Sequence, residues 1–281
     1  MPFNSEVIRR GLGFGEAPRW HSDRFWYSDF YRHGVFSCAA DGSDERREHT
    51  VDTQPSGLGW LPNGDLLIVS MTDHRILRVR DGETSELLDI SPYCGFWAND
   101  MVTSDAGISY VGNFGFDLDA AITGGRFAAA LAEYEGATLA MVDQHGRVHA
   151  AARGLRFPNG MVVTPDGGTM IVAETLGRRL TAFDIGIDGS LTNQRLWAEF
   201  ASAAPDGICL DQQGAVWIAD ALHLVQDAAV FTFTEVSAWP DQGAGQDPSR
   251  GLAPVAGTVA QVLVKAGDKV SIIPFEGSTG A

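Results

Sequence analysis

The sequence predicts an all-β fold built as a β-propeller, and three observations point to it. A strand-and-turn unit recurs at blade-like spacing, the apolar runs are strand-sized, and the chain shows neither long amphipathic helical patterns nor a glycine-rich phosphate loop. The unit is an acidic or amide residue near glycine, a short apolar stretch, a turn, and a strand rich in Val, Ile, Leu, Tyr or Trp.

In chain order, the first unit starts at Glu16 in GEAPRW and leads to a strand over 25–29. The second starts at Gly57, turns at Asn63-Gly64 and continues as a strand over 65–71. The third starts at Asn99, turns at Asp105-Ala106-Gly107 and continues over 108–113. The fourth starts at Asn159, turns at Asp166-Gly167 and continues over 169–174; the fifth starts at Asp206 and continues over 215–220. The starts lie 41, 42, 60 and 47 residues apart, which fits blades of roughly 40–50 residues. The longest interval holds the Ala- and Gly-rich segment 116–137, read as an insertion between blades, either a lid or a loop. Because blades are arranged radially, the starts of their innermost strands converge on a central channel.

Composition narrows the function classes. With 281 residues, 44% of them hydrophobic, the chain can bury one large all-β domain or two ordinary ones. A net charge of −16 without a local basic cluster argues against nucleic acid and anionic membrane surfaces as partners. The runs 66–69 and 170–173 fall far short of the roughly 20 residues of a membrane helix. The start MPFNSEVIRR has no continuous apolar stretch of a secretory signal, which predicts a cytoplasmic protein. Cys38, Cys94 and Cys209 are odd in number and form no CxxC pair, against both a disulfide framework and a structural zinc site.

Glu16, Asn159 and Asp206 carry the chemistry. One glutamate, one asparagine amide and one aspartate form an oxygen-rich set of charge −2, suited to a hard divalent cation completed by water. The alternative is that Asn159-Gly160 and Asp206-Gly207 are turn dipeptides. Both, however, follow proline, precede an apolar run and stand in phase with Glu16. No GxSxG elbow or HExxH pattern offers other hydrolytic machinery. Glu174 and Asp220 end their strands in phase and read as a second acidic shell or as caps accepting backbone hydrogen bonds. Asp100 and Asn113 lie near the presumed channel, where they position Asn99 or touch substrate.

The segments GEAPRW, AND followed by YVGNFGFD, FPNGMVVTPDG with IVAETLGRRLTAFDI, and PDGICLDQQGAVWIAD resemble the gluconolactonase, regucalcin (senescence marker protein) and luciferin-regenerating enzyme family over residues 8–220. The resemblance implies six blades, with Glu16, Asn159 and Asp206 binding one divalent ion and Asn99 lining the site beside it. Calcium is the first expectation for that ion; zinc, manganese and magnesium are alternatives. It implies a hydrolase opening small sugar-type lactones, the alternative being a non-catalytic, regucalcin-like cation- or ligand-binding propeller. The family often places an arginine two positions before the Asn99 amide to hold sugar hydroxyls. This chain has Trp97 there, which weakens the case for gluconolactone itself and leaves Trp97 to stack on a ring or pack the channel mouth. A bound cation polarises a lactone carbonyl and acidifies water, and Asp206, with a second oxygen to spare, is the candidate general base.

After Leu222 the repeating unit stops, short of a complete sixth blade. The chain's only lysines, Lys265 and Lys269, fall there, whereas all eighteen arginines occur at or before Arg250. Residues 252–270 resemble the first strands of a biotinyl or lipoyl carrier domain, and the residues before them loosely resemble that region of acyl-CoA carboxylases. The Met-Lys-Met hairpin is missing, and the last methionine is Met170, so no biotin attachment is expected. The division is therefore 1–221 as propeller blades and 222–281 as an atypical segment, a chimeric tail or a substitute last blade.

Overall fold

The computed structural model describes residues 8–220 and 234–236. Blade one comprises β1 (Gly15–His21), β2 (Arg24–Asp29), β3 (Gly34–Cys38) and β4 (Arg46–Thr50). Blade two comprises β5 (Pro55–Trp60), β6 (Leu66–Ser70), β7 (Arg75–Arg80) and β8 (Glu83–Asp89). Blade three comprises β9 (Ala98–Thr103), β10 (Ser109–Asn113), β11 (Ala137–Val142) and β12 (Val148–Leu155). Blade four comprises β13 (Pro158–Val163), β14 (Thr169–Glu174), β15 (Arg179–Ile185) and β16 (Leu191–Glu199). A fifth, three-stranded sheet holds β17 (Pro205–Leu210), β18 (Val216–Asp220) and β19 (Thr234–Val236). Every sheet is an antiparallel meander in chain order, so the architecture is the expected all-β propeller. β19 lies beyond residue 221, inside the segment set apart from the sequence. The carrier-like stretch 252–270 lies outside the described residues.

The core is laid between blades rather than within them. Along β6, Leu66 and Ile68 pack with Ala17 and Val35 of blade one, while Leu67 and Val69 pack with Met101 and Val111 of blade three. Along β14, Met170 and Val172 meet Tyr110 and Leu139 of blade three, and Ile171 and Ala173 meet Ile208 and Val216 of blade five. Side chains alternate across a strand, so a strand sandwiched between two neighbours is apolar on both faces and reads as a continuous run. Blade one carries a further cluster, Tyr27, Phe36 and Cys38, on its other face.

Segment 116–137, expected as a lid or loop, folds into two short helices, α1 (Leu118–Thr123) and α2 (Phe127–Glu133). Asp117 caps α1 by accepting the Ala120 N–H. Tyr134 ties the insertion to the connection between blades three and four: its hydroxyl donates to the Leu155 carbonyl and accepts the Phe157 N–H at 3.1 Å. Arg156 clamps the other side through the carbonyls of Tyr134 and Leu131.

Two repeated devices set up the channel. In all five blades the pairing of first and second strands slips by one residue near the strand start, between Glu16 and Arg19, Pro55 and Leu58, Ala98 and Met101, Pro158 and Met161, and Pro205 and Ile208. A bulge of this kind inserts an extra residue and re-aims its side chain. Just before the inner strands of blades one to four, the chain is also tied to the end of the second strand. Phe30 N–H donates to Phe14 O, Met71 to Gln54, Phe114 to Trp97 and Thr175 to Phe157, at 2.9–3.1 Å.

Candidate metal centre

The second residue of each inner strand, at or beside the bulge, is Glu16, Ser56, Asn99, Asn159 and Asp206. Glycine follows in three of these strands, and at Gly57 and Gly160 it lets a neighbouring inner strand approach closely. A Cβ on Gly57 would stand 2.4 Å from the Met101 nitrogen, and one on Gly160 would stand 2.5 Å from both the Asp206 carbonyl and the Ile208 nitrogen. No side chain fits there, so these glycines let residues from adjacent blades share one site.

A directed hydrogen-bond chain joins the polar members. Ser56 Oγ donates to Asn99 Oδ1 at 3.4 Å, Asn99 Nδ2 to Asn159 Oδ1 at 3.1 Å, Asn159 Nδ2 to Thr175 Oγ1 at 3.2 Å, and Thr175 Oγ1 to the Pro205 carbonyl at 2.8 Å. The last acceptor fixes the direction. A backbone carbonyl only accepts, so the single Thr175 proton goes to it, and Oγ1 must take an N–H from Asn159. Asn159 Oδ1 is thereby turned to the Asn99 side and keeps a second lone pair for a cation. Asn99 and Asn159 are both buried.

The charged members press on one another. Burial pushes the Glu16 carboxyl well above the ordinary carboxylate range, and the negative charges of Asp206 and then Asp100 push it further. The Ala17 N–H and the Arg19 charge pull the other way. Glu16 and Asp206, from blades one and five, therefore form a half-buried acid pair that favours a proton or a cation beside it. The donor set of two carboxylates and one amide oxygen fits a hard divalent ion. Among the described residues no group of three or more His, Cys, Asp or Glu side chains is placed to hold a metal ion.

Asp100 is committed elsewhere. Its Oδ1 accepts Arg19 Nη2 at 2.9 Å, in an ion pair whose side chains are each 9% exposed. Arg19 also donates to the carbonyls of Met101 and Pro18, linking blades one and three beside the acid pair. Asn113, fully buried, donates to the carbonyls of Tyr93 and Thr138 and accepts the Gly95 N–H. The bonds to Tyr93 and Gly95 position the loop that leads into Asn99, and the bond to Thr138 ties that loop to β11.

Glu174 accepts the Arg156 N–H at 2.6 Å, pairs with Arg179 and meets the Thr181 hydroxyl, so it is a strand-end cap. Asp29 does the same in blade one through the Gly13 and Phe14 N–H groups. The Asp220 side chain lies outside what is described. Trp97, half-buried, stacks on Phe96 with centroids 4.9 Å apart and tilts against Phe114 at 6.3 Å.

Three residues of this arrangement escape the sequence reading. Ser56, one residue before the expected start at Gly57, is the position in phase with the others; Pro55-Ser56-Gly57 matches Pro158-Asn159-Gly160 and Pro205-Asp206-Gly207 and is the signal that finds it. Arg19 and Thr175 carry no such signal.

Residues 14–234 match the family profile described as SMP-30/gluconolactonase/LRE-like region. Among solved structures, a gluconolactonase from Xanthomonas campestris is 18% identical with a TM-score of 0.60, over 84% of this chain and 79% of that one. A luciferin-regenerating enzyme is 17% identical with a TM-score of 0.65, over 82% and 74%. A regucalcin from Agrobacterium tumefaciens strain C58, described as a calcium-binding protein, is 18% identical with a TM-score of 0.62, over 84% and 76%. At these identities the structural likeness carries the fold.

Proposed function

Because the chain belongs to the SMP-30/gluconolactonase/LRE-like family, we propose that it is a metal-dependent hydrolase of small lactones, with Glu16, Asn159 and Asp206 holding the ion. What supports this reading is that Glu16 and Asp206, carboxylates of blades one and five that act electrostatically on one another, hold the same place in their inner strands as the oriented amide of Asn159 in blade four. A divalent cation at such a set, calcium first, polarises a lactone carbonyl and acidifies water. Asp206 accepts the proton of the attacking water, Asn99 offers its amide beside the ligands, and Thr175 holds Asn159 in the ligating orientation. The same reading takes the ring as six-bladed, the Tyr27, Phe36 and Cys38 cluster of blade one being the face against which a further blade packs.

The test is hydrolysis of a broad lactone panel by the full chain with calcium, manganese, zinc or EDTA. Turnover that EDTA abolishes and metal restores is expected; inertness of the metal-loaded protein on every lactone overturns the reading. A second reading, cation binding without turnover, is favoured by the likeness to a calcium-binding regucalcin. Stoichiometric calcium binding with no hydrolysis would select it.

A further inference from the structure

Resting on the lactonase reading, we infer that the site selects lactones fused to or bearing a flat aromatic ring, rather than polyhydroxylated sugar lactones. The residues that carry the inference stand two positions before each ligand-layer residue, with their hydrogen-bonded partners just after the second strands. Together they form the next layer along the channel, at the end where the inner strands begin. In three of the five blades that layer is aromatic: Phe14 with Phe30, Trp97 with Phe114, and Phe157.

The rings are organised, not scattered. Phe14 and Phe30 stack at 5.0 Å with planes 12° apart. Across blades three and four, Trp97 packs on Phe114 at 6.3 Å, and Phe114 meets Phe157 edge-on at 4.7 Å. Phe157 sits at φ +64°, a left-handed conformation that a bulky residue adopts only where its surroundings enforce it; the Tyr134 hydroxyl on its N–H helps hold it there. Phe30 and Phe157 are buried and back the layer, whereas Phe14 is 37% exposed and Trp97 and Phe114 are half-buried, so these three rings are open to a ligand.

Polar partners are scarce in the same layer. Its remaining described positions are Gln54, Met71, Thr175 and Ala204, so none of the nine is charged. The Thr175 hydroxyl is already spent on Asn159 and the Pro205 carbonyl. Among the described positions of this layer a sugar lactone would find only the Gln54 amide as an uncommitted polar side chain for its several hydroxyls, and each one left unpaired costs affinity. A flat ring would instead find offset and edge-on aromatic faces.

The experiment compares dihydrocoumarin with glucono-1,5-lactone by kcat/KM on the metal-loaded full chain. In parallel, calorimetry compares the two matching non-hydrolysable lactams. A preference for the aromatic compounds of at least about a hundredfold is expected, the scale on which an apolar pocket rejects an added hydroxyl. Trp97→Leu and Phe114→Leu, which keep an apolar side chain but remove the ring, should each lower aromatic-lactam affinity and dihydrocoumarin kcat/KM by roughly fivefold to tenfold, the scale of one lost ring contact. Equal or reversed preference, or a preference untouched by both variants, overturns the inference. Selective binding of the aromatic lactam with neither lactone hydrolysed would overturn the lactonase reading and leave the aromatic pocket standing.

Discussion

Asn99 Nδ2 donates to Asn159 Oδ1 at 3.1 Å, across the boundary between blades three and four. Two residues 60 positions apart in the chain are thus neighbours in one layer of the channel, and the orientation of one amide sets that of the other. The consequences of this layer can be measured.

Removing the Thr175 hydroxyl should disorient Asn159. Thr175→Val strips the acceptor from Asn159 Nδ2 and leaves the buried Pro205 carbonyl without its donor, costing about 1–3 kcal/mol in denaturant unfolding. Calcium affinity should fall about tenfold or more, as for other residues that orient metal ligands. Thr175→Ser keeps the hydroxyl and should keep most of both; equal loss in Val and Ser variants would argue that packing alone matters there.

Gly160→Ala should force blades four and five apart, because its Cβ would stand 2.5 Å from the backbone of Asp206 and Ile208. About 1–3 kcal/mol of stability should be lost, together with metal affinity. Gly64→Ala, in an open turn at φ +89°, should cost about 1 kcal/mol from backbone strain and leave the affinity intact. Identical calcium isotherms for wild type and Gly160→Ala would count against the shared layer.

Glu16 should give the metal-free protein an unusual pH profile. Its folded carboxyl holds a proton above its ordinary value of 4.5, so between that value and the raised one the folded chain binds more protons than the unfolded chain. Its contribution to stability is therefore full below pH 4.5 and falls as pH rises through that window, levelling once the group ionises. Unfolding followed in EDTA should show that decline, and Glu16→Gln should remove it and stabilise the metal-free protein at neutral pH. A profile that is the same in both proteins would contradict the arrangement.

Breaking the Arg19–Asp100 pair from one side should be severe. Arg19→Ala leaves Asp100 buried beside Glu16 with no counter-charge, costing about 3–5 kcal/mol. The paired replacement Arg19→Met with Asp100→Leu should cost less than Arg19→Ala alone, because it removes both charges together. Chemical unfolding of the two variants checks this order.

The blades were open to reading because their signals are local. Turn dipeptides at Asn63-Gly64 and Asp166-Gly167 bracket strands, and the strand expected over 169–174 is β14 with the same bounds. Asn159 and Asp206 stood out because proline, an oxygen-bearing residue, glycine and an apolar run recur together. What stayed hidden depends on how blades face one another. The Arg19–Asp100 pair joins residues 81 positions apart, and Thr175 acts through a carbonyl of the next blade; no spacing within one strand encodes either. The helices α1 and α2, six and seven residues long, are too short to show a helical period. Ser56 shares the phase of Asn159 and Asp206, but a lone hydroxyl carries no charge or amide oxygen that would point to a cation.

The central claim is tested most directly by titrating the EDTA-treated chain with calcium, manganese or zinc, for wild type and Asp206→Ala side by side, while following lactone opening on the same samples. One ion per chain and metal-restored hydrolysis in the wild type, both lost in Asp206→Ala, is the predicted result. Hydrolysis that survives EDTA, or that persists undiminished in Asp206→Ala, would contradict it.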